Sequence, residues 1–216
     1  MKQQLYGILL FGLLAALPLA GQPADVVTVG TVIGAAGGTI DVPVYIRDTA
    51  GTPLGIDQPS GSRIQSYGIT VNYSPAASVQ AITFTRAGIT APLTPAFESS
   101  PATPGTISLL DSFQEATNLI PFTSNAALPG NQIGVLHITI APGTAIGSTI
   151  TLTLDPTLTQ LSNQAGSTTE TLTNGQLLLV NGVVNVATSV PALAPWLLAL
   201  LAISFALIAV PMLRRM

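Results

Sequence analysis

The sequence contains no cysteine. It therefore has no disulfide framework, no thiol nucleophile and no thiolate ligand for a metal. Charge is nearly as scarce. Asp, Glu, Lys and Arg together make up 7% of the 216 residues, where ordinary soluble domains carry roughly 25%. Six basic residues, two of them at the extreme C-terminus, cannot form a phosphate-tracking patch, so nucleic acid is not the expected partner. Aromatic residues are 5% of the chain, too few to show a planar strip for sugar stacking. Disorder requires low hydrophobicity and high net charge. Here 48% of residues are apolar and the net charge is −3, which argues against it.

What is present begins with two apolar ends. Residues 1–24 read as a secretory signal peptide: Lys2, then an apolar run from Leu5 to Leu19, then small residues with Ala20 or Ala24 as the cleavage position. Trp196 to Leu213 carries no charge. As a helix it would approach the roughly 30 Å of bilayer hydrocarbon. Arg214 and Arg215 follow it directly, and basic residues favour the cytoplasmic side. The expected layout is a signal peptide over 1–24, an exported domain over 25–188, and an anchoring tail over 189–216.

Removing the ends does not restore normal charge. Residues 25–190 hold three arginines and nine acids, and 26 threonines. Apolar residues alternate there with Thr, Ser and Asn at period two, and Gly, Pro and Asn interrupt the runs. This is the pattern of short strands rather than βαβ units. The expected strands are Val26–Ile33, Thr39–Arg47, Arg63–Tyr73, Val79–Arg86, Thr106–Phe113, Gly134–Ile140, Thr149–Leu154, Gln176–Val180 and Val183–Val186. Within the third, Gln65, Tyr67, Ile69, Val71 and Tyr73 should face the core, with Ser66, Gly68, Thr70 and Asn72 on the other side. Leu136, Ile138 and Ile140 should oppose Val135, His137 and Thr139. Thr49–Ser62 and the proline-rich Thr90–Gly105 are expected loops, because proline cannot donate to a ladder. The fold class is all-β: one sandwich of about nine strands.

Catalysis has little to build on. The one histidine, His137, is expected mid-strand on an outward face. There is no G-x-S-x-G, H-E-x-x-H or P-loop motif. None of the nine acids follows the spacing of an EF-hand loop. No catalytic residue, cofactor or metal is expected.

The order of the segments resembles the cohesin domain. The matching stretches are Val26–Gly34 (VVTVGTVIG), Gly38–Ile46 (GTIDVPVYI), Ile64–Pro75 (IQSYGITVNYSP), Thr106–Phe113 (TISLLDSF), Ile133–Ile140 (IGVLHITI) and Asn181–Val186 (NGVVNV). The resemblance implies a nine-stranded jelly-roll sandwich. It also implies non-catalytic recognition of a dockerin-type module on another protein, with any calcium belonging to that partner. Ser74 stands where the pattern has Asp before proline. The binding face is expected to include Ser66, Gly68, Thr70, Val135, His137 and Thr139. Two alternatives stay open at this point: binding of a polysaccharide, in line with polysaccharide breakdown, and a structural or adhesive role at the cell surface. The C-terminus is similar to the I-P-T-L-x-x-W class of bacterial sorting signals, through Val190, Pro191, Ala192, Leu193 and Trp196, the apolar run, and Arg214 and Arg215. That resemblance implies an exported bacterial protein held at the inner membrane or passed to the cell surface.

Overall fold

The computed structural model describes residues 22–188. The expected signal peptide lies almost wholly outside them, and so do the sorting motif from Val190 onward, the apolar run and the basic tail. Among the described residues no helix is long and apolar enough to cross a membrane.

The described chain is almost entirely strand and turn. Its strands are β1 (Asp25–Val29), β2 (Val32–Ala35), β3 (Thr39–Arg47), β4 (Ser66–Ser74), β5 (Val79–Arg86), β6 (Phe97–Ser99) and β7 (Ala102–Thr103). These are followed by β8 (Thr106–Ser112), β9 (Asn131–Ile140), β10 (Thr149–Leu154), β11 (Gln160–Ser162), β12 (Thr169–Thr171), β13 (Leu177–Val180) and β14 (Gly182–Ala187). Two sheets result. The first has five strands in the order β13-β1-β3-β9-β5. The second has nine, ordered β12-β11-β4-β10-β14-β2, with β8 on the free side of β4 and β6 and β7 paired to β8. Side chains from both sheets meet in one buried cluster: Val27, Val44 and Leu136 from the first, Ile69, Leu109 and Leu152 from the second. The fold is a two-sheet β-sandwich.

The period-two pattern works as expected in β4. Ile69 and Val71 are fully buried, and Gln65, Tyr67 and Tyr73 are buried with them. Alternation places these side chains on the core face because successive residues of a strand point to opposite sides. Leu136, Ile138 and Ile140 of β9 are likewise buried, with Val135, His137 and Thr139 half-buried between them.

Three expectations need correction. The Val26–Ile33 run is not one strand. It breaks at Gly30, whose N–H donates to the Pro43 carbonyl at 2.8 Å, and β1 and β2 belong to different sheets. The proline-rich Thr90–Gly105 segment is not only loop, because β6 and β7 pair with β8 inside it. The strand number is fourteen rather than about nine. The added pieces, β6, β7, β11 and β12, are two or three residues long, too short to show an alternation.

Candidate interaction face

The outward face of the second sheet is a lattice of hydroxyls and amides. Register pairs Ser66 with Ser112, Gly68 with Leu110, Thr70 with Ser108 and Asn72 with Thr106 across β4 and β8. Three of those pairs bond through their side chains: Ser66 to Ser112 at 2.7 Å, Thr70 to Ser108 at 3.0 Å, and Thr106 to Asn72 at 2.9 Å. On the other side, Thr153 of β10 lies opposite Asn72 and Gln160 of β11 opposite Gly68. Thr149, Thr151 and Thr153 are all exposed. The β4–β8 pair thus fixes polar groups to one another across the ladder.

Gly68 is the low point of this face. A side chain there would first meet Leu110 at 3.5 Å, then Gln160 and the Leu158 carbonyl at 3.8 Å. Leu158 is 58% exposed, and Phe97, which lies opposite Ser112 in β6, is 55% exposed. Leu158 rides on a turn built by Asp155, whose carboxylate accepts from the Thr157 N–H at 2.9 Å, the Thr157 hydroxyl at 2.8 Å and the Leu158 N–H at 3.0 Å. Those bonds hold Asp155 below the usual carboxylate range, the Thr157 N–H foremost. The result is a hydroxyl field in which Gly68 lies beside the half-buried Leu110, with the exposed Leu158 on the β10–β11 turn and the exposed Phe97 on β6 flanking it.

The expected six-residue face does not form as one surface. Ser66, Gly68 and Thr70 lie in β4 of the second sheet. Val135, His137 and Thr139 lie in β9 of the first, which covers the opposite side of the core. Both sets face outward, so they point in opposite directions. Alternation within each strand cannot reveal which sheet a strand joins. Thr70 is a further correction: it is only 3% exposed, because the chain turns beside it and ties on through the Asp155 N–H to the Thr70 carbonyl at 2.8 Å. Leu110 was missed, since the consecutive Leu109 and Leu110 leave open which of them faces outward. Phe97 and Leu158 were hidden in segments without periodicity.

On the first sheet, His137 Nδ1 lies 2.6 Å from Asp41 Oδ1, directly across the β3–β9 ladder. Thr83 is its neighbour on β5, yet no hydrogen bond joins His137 to a hydroxyl. Thr39 and Thr139 bond to each other at 2.9 Å.

Part of the scarce charge is spent inside. Asp25, Asp48, Asp111 and Glu170 are all buried. Asp111 faces inward from β8, where the Tyr67 hydroxyl donates to it. Burial still pushes its carboxyl up to about 6, against that hydrogen bond. Burial likewise raises Asp25 and Glu170, which lie beside each other. It raises Asp48 as well, with the Ile56 N–H opposing.

No protein-family model matches the sequence, and no curated protein matches it. Solved structures do match. The sixth cohesin of the Acetivibrio cellulolyticus scaffoldin B, in complex with a dockerin, is 17% identical with a TM-score of 0.53, over 76% of this chain and 99% of that one. The seventh type I cohesin of a scaffoldin from Pseudobacteroides cellulosolvens is 15% identical with a TM-score of 0.52, over 79% and 97%. A cohesin from Clostridium thermocellum, in a type I cohesin–dockerin complex, is 13% identical with a TM-score of 0.53, over 81% and 100%. The chain has the cohesin fold. Identities this low carry the fold and no more.

Proposed function

We propose that this domain is a non-catalytic protein-recognition module that receives a dockerin-type partner on the outward face of β4 and β8. The observation that carries the reading is Gly68 beside Leu110, flanked on the neighbouring segments by the exposed Leu158 and Phe97, in a hydroxyl lattice on a cohesin fold. Interface cores are apolar, poor in charge and rimmed by polar groups, and this face has that composition. Two of the cohesins of similar fold were solved with dockerins, which supports the choice of partner. The sequence of the ends supports export of the domain, held at a membrane or cell surface by its C-terminal tail.

Polysaccharide binding is the weaker reading. Stacking on sugar rings needs a platform of exposed aromatics. Among the described residues, Phe97 is the one large aromatic with more than a third of its surface exposed, while Tyr67 and Tyr73 are buried.

The test is a pull-down in which the immobilised full chain is offered the extracellular proteins of its source. Recovery of a dockerin-bearing protein is the expected result. Gly68→Arg should abolish it, since the new side chain rises from the face between Leu110 and Gln160. Thr139→Arg, on the opposite sheet, should retain it. Loss with Thr139→Arg and retention with Gly68→Arg would move the site to the other face.

A further inference from the structure

Four carboxylates surround the loop that follows β3. Each uses one oxygen to accept a backbone N–H of that loop. Asp25 Oδ1 accepts from Thr49 at 2.7 Å, Asp57 Oδ2 from Gly51 at 3.2 Å, Glu170 Oε1 from Leu54 at 2.8 Å, and Asp48 Oδ2 from Ile56 at 2.8 Å. The second oxygens are another matter. Asp25 Oδ2, Glu170 Oε2 and Asp48 Oδ1 are buried without a hydrogen-bond partner. Asp25 and Glu170 lie beside each other. The neighbour of Asp48 on its free side is a further carboxylate, Asp57.

Asp48 is fully buried, and none of the ion pairs among the described residues includes it. The guanidinium next in sequence, Arg47, donates to the Ala126 carbonyl at 2.8 Å and the Thr49 hydroxyl at 2.9 Å and acts on Asp48 only through space. The free oxygen of Asp48 points at Gly55. A Cβ built on that glycine would lie 2.7 Å from Asp48 Oδ1 and 2.7 Å from Asp57 Oδ1. Any side chain there would strike both oxygens, which thus converge beside the glycine. Its φ of 155° falls at the edge of the region that other residues avoid. Buried carboxylates are ordinarily paired with a cation or bound to a metal.

We propose that Asp48 Oδ1 and Asp57 Oδ1, converging beside Gly55, hold one hard divalent cation of the calcium class. Among the described residues no three acidic or histidine side chains converge as a metal site. The remaining positions therefore fall to loop carbonyls and water, which such cations accept alongside one or two carboxylates. The bound ion would neutralise the two facing carboxylates and fasten the 49–57 loop between β3 and the Glu170 strand, β12. The site is independent of the β4–β8 face.

The test uses the full-length chain, stripped with EDTA and titrated with CaCl2 alone. Calorimetry should show one saturable ion per chain, and the melting temperature should rise by about 3 °C or more near saturation. Asp57→Asn, at an exposed position, leaves the core intact and should weaken binding at least tenfold. Asp48→Asn should melt like the ion-free wild type and no longer respond to CaCl2. Asp41→Asn, on the first sheet, should bind as the wild type does. No saturable binding in the wild type, or an undiminished response in Asp57→Asn, would overturn the site and leave Asp48 neutralised by a proton instead.

Discussion

At the scale of single residues, the buried acids set how the domain answers to pH. Asp111 has its folded pKa raised from 3.8 to about 6, so the folded state holds its proton more tightly than the unfolded chain. That preference stabilises the fold fully below about pH 4 and is lost as pH rises through about 6. The raised carboxyls of Asp25, Asp48 and Glu170 act in the same direction. The melting temperature should therefore fall between pH 4 and pH 6.5. Asp111→Asn, which is neutral throughout and keeps a partner for the Tyr67 hydroxyl, should flatten that fall when both proteins are melted across the same buffers. An unchanged slope would mean that Asp111 is ionised in the fold at low pH. Nothing in the sequence marked these four acids as buried. Asp111 sits at an inward position of β8, but a carboxylate near a strand end reads as solvated, and its covering groups arrive from distant segments. Gly68 and Ser66 were legible as outward-facing, whereas the covering of Thr70 depends on a turn more than eighty residues away in sequence.

At the scale of elements, long strands were readable and short ones were not. β3, β5 and β10 run as the period-two pattern implies, because each carries enough alternating residues to fix which side is core. The two-residue β7 and three-residue β6 have no periodicity to read, and they form on the template offered by β8. The break between β1 and β2 follows from packing that sequence does not display. A Cβ on Gly182, at the start of β14, would lie 2.2 Å from the Gly30 carbonyl oxygen and 2.8 Å from that of Val29. Backbone meets backbone at the point where the chain leaves one sheet for the other. Gly182→Ala should therefore destabilise the domain by about 2 kcal/mol or more, seen as a lower midpoint in chemical denaturation. Gly68→Ala, whose Cβ would meet nothing closer than 3.5 Å, should be close to neutral in the same experiment.

At the scale of the whole molecule, the low charge of the chain becomes lower still at its surface. Four of the nine acids are buried. The arginines of the described residues are tied to carbonyls: Arg47 to Ala126, Arg63 to Gln58, and Arg86 to Thr90 and Leu93. Threonine, serine and asparagine occupy the outward positions that charges fill in most proteins. Association through such a face depends on shape and apolar contact rather than on steering by long-range fields. Partner affinity measured by surface plasmon resonance at 50 and 500 mM NaCl should change by less than about threefold, because screening has little to act on. A steep loss of affinity with salt would place recognition at the few exposed charges instead. The composition of the chain was enough to anticipate this behaviour. The grouping of Phe97, Leu110 and Leu158 was not, since three separate segments deliver them.

The two ends of the sandwich are joined in an unusual way. β1 runs parallel to β13, with Asp25 to Thr28 matched to Leu177 to Val180, and β2 runs parallel to β14, with Val32 to Ala35 matched to Val184 to Ala187. Both of the first strands are therefore bonded alongside both of the last. A pull on the two ends would load these ladders along their length, so that their hydrogen bonds resist together instead of opening one after another. The same pairings that close the fold would make it a stiff link in any tether that draws on it from both sides.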